Sequence, residues 1–145
     1  MRLVVVTAAA FVFLAACGGS GDAEPASPQA LAEEWLSVAS VEGGGEASLS
    51  LIAPDVREAM DTDAYVDCIG AAVTELQELN IRILERRYDG TAEEDGATYV
   101  NLTYVLQRAN TVLDIADTLE VVETGDGWRV VGSVANEGCI SQSSP

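Results

Sequence analysis

Hydrophobic positions along the chain fall into four regimes. Behind Met1 and Arg2 runs an unbroken apolar block, Leu3 to Leu14 (LVVVTAAAFVFL), followed after residue 17 by a polar stretch rich in Gly, Ser and Pro. From Ser27 the apolar residues recur at the spacing of amphipathic helices. Ser27-Pro28 reads as an N-cap with proline at the first helical position, and Leu31, Trp35 and Val38 share one face, which predicts a helix over residues 28–41. Gly43-Gly44-Gly45 breaks it. A short apolar piece follows (Leu49, Leu51, Ile52), then Pro54, which forces Ala53 from helical geometry, and a turn over 55–60. Asp61 or Thr62 caps the strongest helix, whose stripe is Tyr65, Ile69, Ala72, Val73, Leu76 and Leu79, with Cys68 beside it.

From Asn80 the period becomes two. Residues 81–88 form a strand, the turn-rich run 89–96 (DGTAEEDG) reverses the chain, and Val100, Leu102, Tyr104 and Leu106 alternate in a second strand. A third strand over 111–123 puts Leu113, Ile115, Leu119 and Val121 on one face, and Thr124-Gly125-Asp126-Gly127 turns it into a fourth over 128–134. Helices followed by an antiparallel meander define an α+β class: N-terminal helices packed on a curled antiparallel sheet of about four strands, as one domain over 28–145. No internal repeat suggests a solenoid.

The apolar block has the charged start, hydrophobic centre and small-residue end of a signal peptide over residues 1–16. It falls short of the about 20 residues that span a bilayer, so it is expected to be removed. Leu14-Ala15-Ala16-Cys17-Gly18 resembles the lipobox of bacterial lipoproteins. The resemblance implies that Cys17 takes a diacylglyceryl group and becomes the first residue of a lipoprotein anchored on the outer face of the bacterial membrane. Two acyl chains suit that role, since one holds weakly and reversibly. Residues 17–27 then read as a tether, ten of which reach roughly 17 Å.

Charge narrows the partners. The chain carries 24 acidic against seven basic side chains, with neither Lys nor His, for a formal −17. Loss of Arg2 with the leader leaves six basic side chains and −18. Nucleic acid is excluded as a partner, and anionic headgroups should repel the domain, leaving the acyl chains as its attachment. Absence of histidine excludes His-based triads and His-ligated metals, and neither a metal nor a cofactor is expected. Once Cys17 is acylated, Cys68 and Cys139 form an even pair in an oxidising compartment, so a disulfide tying the long helix to the C-terminal tail is expected.

The order of elements, closing with Leu119-Glu-Val-Val-Glu-Thr-Gly-Asp-Gly-Trp-Arg-Val-Val131, resembles the nuclear transport factor 2-like (cystatin-like) superfamily over about residues 28–134. That resemblance implies a cone-like roll in which the sheet wraps the long helix and leaves a pocket that members fill with small molecules, partner proteins or nothing. It does not settle function.

Candidate chemistry is sparse. Asp117 shares the face of Leu113, Ile115, Leu119 and Val121, so a regular strand points a carboxylate into apolar surroundings. With Tyr99 or Tyr104 as hydrogen-bond donor it is similar to the Asp and Tyr of steroid isomerases in the superfamily, where it would serve as a general base. A bulge turning it to solvent is the alternative. Arg82, Arg86 and Arg87 either clamp an anionic ligand or guard a strand edge. Asp61 to Asp67 begins like a calcium loop, but Val66 and Ala72 stand where Gly and Glu are needed, which favours a helix cap. Trp35 and Trp128 sit on the apolar periods of their elements as core anchors or as pocket lining. Asn101-Leu-Thr103 fits a glycosylation sequon, discounted in a bacterial strand.

These features point to a non-enzymatic binding or interaction module of the cell envelope, its partner a small apolar ligand or an envelope protein. The alternatives are a small isomerase or dehydratase with a cone pocket, and an accessory subunit of a membrane protein, which would show an exposed apolar patch.

Overall fold

The computed structural model describes residues 24–133 and 139–143. The expected leader, Cys17 and most of the expected tether lie outside the described residues.

Helix α1 spans Pro28–Val38, with the Ser27 hydroxyl accepting from the Ala30 N–H at 3.1 Å as the N-cap. It stops three residues before the expected end because the chain doubles back over it. The Gly43-Gly44-Gly45 triplet does more than break a helix. Gly43, at φ +76°, leads into helix α2, Gly44–Ser48, whose first two residues are buried glycines. A Cβ on Gly44 would lie 2.1 Å from the Val38 carbonyl oxygen, and one on Gly45 2.9 Å from the Cα of Val66. Glycine therefore lets α2 pack backbone to backbone, a contact that breaker statistics do not foresee. A 3-10 turn, Leu49–Leu51, and helix α3, Pro54–Ala59, follow. Helix α4, Thr62–Glu78, starts where expected, with the Asp61 carboxylate accepting from the Ala64 N–H at 3.0 Å.

Four antiparallel strands form one sheet in the order β1 (Ile81–Glu94), β2 (Ala97–Arg108), β3 (Thr111–Thr124) and β4 (Gly127–Ser133). The class expected from the sequence, helices followed by a four-stranded antiparallel sheet, is the class observed. The expected eight-residue turn is two residues: Asp95 and Gly96 at φ +52° and +83° join β1 to β2. Residues 89–94 have turn-forming composition, yet all but Asp89, which sits in a bulge, pair with β2, since ladder bonds override weak local preference. A bulge between Tyr88 and Gly90, another between Ile83 and Glu85, and an irregularity at Glu120/Val121 bend the sheet. Its β4 edge is covered by the loop before α3, through a parallel bridge from Ile52 to Val130 and a 2.8 Å bond from the Ala53 N–H to the Val130 carbonyl.

The core lies between the helices and one half of the sheet: Leu31, Trp35, Tyr65 and Ile69 meet Val100, Leu102, Leu119 and Val130. Within it Tyr65 shares a 2.8 Å hydrogen bond with the Ser48 hydroxyl. Trp35, fully buried, is a core anchor whose indole N–H has no acceptor among the described residues. Two stripes read as continuous from the sequence are divided. On α4, Tyr65 and Ile69 are buried, while Ala72 and, at the C-cap, Leu79 are exposed. On β3, Leu119 and Val121 are buried while Leu113 and Ile115 are 55% and 43% exposed. Helix and sheet diverge toward the β2–β3 turn, and an apolar face cannot report how far its partner follows it.

Cys68 on α4 and Cys139, the first residue of helix α5 (Cys139–Gln142), form a disulfide with Cα atoms 5.5 Å apart. The long helix is thus tied to the C-terminal segment.

Candidate functional site

Where α4 and the sheet part, they leave a groove of about 240 Å³. Its apolar walls are Ile69, Ala72 and Val73 of α4 with Leu106 and Ile115 of the sheet; Ala39 and Ser40 close one side, and Tyr104 and Asp117 supply polar atoms. The sheet register explains that meeting. Arg86, Tyr104 and Ile115 are cross-strand neighbours in one row, and Tyr88, Leu102 and Asp117 in the next. β2 pairs with β3 without a bulge, so period-two alternation holds and Asp117 points inward with Tyr104 on the adjacent row.

Asp117 is 4% exposed. The Ser133 hydroxyl donates a forked hydrogen bond to its two carboxylate oxygens at 3.0 and 3.3 Å, and the Thr118 N–H donates at 2.7 Å. These donors orient the carboxylate. Tyr104 is pushed up to about 12, first by burial and then by the nearby Asp117 charge, with Arg86 opposing. It is a neutral phenol at any physiological pH, and its hydroxyl makes no hydrogen bond within the described residues. The groove can therefore hold a small apolar body and offer one phenolic donor beside an oriented carboxylate.

Of the residues singled out from the sequence, Asp117 and Tyr104 come together. Tyr99 does not join them: alternation on β2 places it on the opposite face, in register with Glu120. The three arginines do not converge either. Arg82 bonds Gln107 at 2.6 Å, Arg86 bonds the Ser40 hydroxyl at 2.7 Å, and Arg87 bonds Asp89 at 2.6 Å and Glu85 at 3.4 Å. They lie on the edge strand β1, as strand guards do. Thr103 and then Arg87 hold the Asp89 carboxyl below its ordinary value, while Asp89 raises the Arg87 guanidinium. Trp128 packs half-buried against the core. Asn101 accepts a 3.0 Å bond from the Thr118 hydroxyl. No cluster of three potential metal ligands occurs among the described residues, and the Asp61 segment is a helix cap. Cys17 lies outside the described residues. Ser133 and Ser40 carried no sequence signal, because each acts through a partner distant in the chain.

No family model matches the chain, and no curated protein matches it. Among solved structures, a SEC-C motif containing protein from Rhodopseudomonas palustris superposes with a TM-score of 0.48 at 16% identity, covering 76% of this chain and 79% of that one. The intermembrane space region of the chloroplast protein ARC6 gives a TM-score of 0.36 at 17% identity, covering 71% of this chain and 88% of that one.

Proposed function

We propose that the mature chain is a lipoprotein held on the outer face of a bacterial membrane by acyl chains on Cys17, and that its domain is a non-enzymatic binding module. Its ligand is a small, largely apolar molecule with a hydrogen-bond acceptor. Support for the anchor is the run Leu14-Ala15-Ala16-Cys17-Gly18 behind an apolar block too short to span a bilayer. No helix among the described residues is long and apolar enough to cross a membrane. The disulfide fits an oxidising compartment. For the domain we propose the cone-like roll of the nuclear transport factor 2-like superfamily, with α4 lying against a sheet bent at its bulges.

The observation that carries the binding reading is the groove: apolar walls ending on the Tyr104 hydroxyl and the oriented Asp117. Few precisely placed polar groups in an apolar concavity are the usual make-up of a ligand site. The test is native mass spectrometry of residues 20–145, secreted by a related bacterium, before and after denaturation. A stoichiometric extra mass, lost on unfolding and absent from an Ile115→Trp variant that fills the groove, is expected. A bare polypeptide mass, together with no uptake of apolar probes such as long-chain alcohols or ketones, would overturn it.

A second reading draws on the meeting of Asp117 with Tyr104. A small isomerase would use Asp117 to move a proton and Tyr104 to donate to a carbonyl oxygen. It competes poorly because three hydrogen bonds already engage the carboxylate. Turnover of an apolar ketone, lost in Asp117→Asn with binding retained, would establish it.

A further inference from the structure

The domain has a fixed point of entry for its N-terminal segment. Pro25 is buried, and its carbonyl accepts from the Trp128 N–H at 2.9 Å. Gly127, at φ +88°, makes room for it: a Cβ there would lie 2.7 Å from the Pro25 oxygen and 3.2 Å from the Glu24 Cβ. Glu24 approaches the Arg129 guanidinium at 4.0 Å, and Arg129 is itself buried with a 2.8 Å bond to the Trp128 carbonyl. Residues expected to be loose tether up to Ser27 are thus clasped to the start of β4 from Glu24 onward.

From these contacts we infer that the β3–β4 turn is the membrane-proximal end of the domain and that the ligand groove opens at the opposite, distal end. The inference rests on the proposed acylation of Cys17. Glu24 lies seven Cα steps after Cys17, and whatever path they take these steps span at most about 25 Å. The meander puts the β1–β2 and β3–β4 turns at one end and the β2–β3 turn at the other. β3 has 14 residues, so the two ends are about 40 Å apart along the strand, and Ile115 in the groove wall lies about 30 Å from Thr124.

Charge opposes lying flat. The helical face exposes Glu33, Asp67 and Glu75, and the outer sheet face Glu85, Asp114 and Glu120. Either face laid on an anionic leaflet would bring these carboxylates within a Debye length of about 10 Å. The tip itself carries the exposed Glu93, Glu94, Asp95, Glu123 and Asp126, so the short tether, not charge, is what holds this end nearest the bilayer. The exposed apolar side chains Leu79, Val112, Leu113 and Ile115 lie at the distal end, so they and the groove face the aqueous compartment. The ligand then enters from that side and not from the bilayer.

The test uses the full-length protein purified from bacterial membranes, with intact-mass analysis to verify acylation. Asp126→Cys and Asn110→Cys, each in an exposed turn, are labelled with a maleimide fluorophore while the native disulfide stays oxidised. Energy transfer to headgroup-labelled lipid is then measured in anionic vesicles. Transfer from position 126 is expected to exceed that from position 110 severalfold. Equal or reversed transfer from an acylated chain overturns the orientation alone. An unacylated chain in the membrane fraction overturns the anchoring reading and the orientation with it.

Discussion

Replacing both Cys68 and Cys139 by alanine removes the covalent tie between α4 and α5 and leaves every sheet contact in place. The bond joins residues 71 apart, so in the chain-entropy account it restricts the unfolded ensemble by about 4.4 kcal/mol at 25 °C. Cys139 is 5% exposed, so truncating it adds a small cavity cost. A domain of this size is stable by about 5–15 kcal/mol, so the double variant should lose between a third and most of its stability. Urea unfolding followed by far-UV circular dichroism measures this directly. The midpoint should fall, and the slope m should rise, because the unfolded chain without its cross-link exposes more surface. A loss below about 1 kcal/mol with unchanged m would refute the reasoning, and would mean that the unfolded chain is already held compact without the bond.

Three further predictions follow from the geometry. Burial raises both Tyr65 and Tyr104 in the fold, Tyr104 from 10.0 to about 12, so stability should be intact below pH 10 and fall as pH rises toward 12. For the partly exposed Tyr104 this is about 1–2 kcal/mol after allowance for solvent screening. With no lysine in the chain, alkaline denaturation followed beside phenolate absorbance isolates the effect, and a flat stability between those pH values would sink it. Gly127→Ala should cost about 1–3 kcal/mol through strain at positive φ and displacement of Pro25, while Gly125→Ala, with open space around it, should stay within about 0.5 kcal/mol. Similar midpoints for the two would show that the clasp is not tight. Asp117→Asn and Ser133→Ala should be coupled by about 1–3 kcal/mol in a double-mutant cycle, and simple additivity would argue against the hydrogen bonds at 3.0 and 3.3 Å.

Much of this molecule is legible in one dimension. Local signals act within a few residues, which is why Ser27 and Asp61 were recognisable as caps and the meander as a meander. The inward face of Asp117 follows from period two alone, provided β3 stays in register with β2, and it does. The partnership of Cys68 with Cys139 was expected from the sequence on the premise that the lipobox resemblance sets Cys17 aside.

Tertiary structure decided the rest. Periodicity says which side of α4 is apolar, but the separation of α4 from the sheet beyond Ile69 depends on how the bulged strands bend, so the groove and its open end were invisible. Arg82, Arg86 and Arg87 lie close together in the chain, yet alternation and a bulge send them to different neighbours. Tyr99 and Tyr104 were equivalent on paper until odd and even positions of β2 acquired opposite faces. Glycines 44, 45 and 127 look like turn residues, and each in fact admits another backbone at a distance no side chain tolerates. A sequence records the preferences of single residues and short segments; which distant surfaces meet, and where they part, is a property of the packed whole.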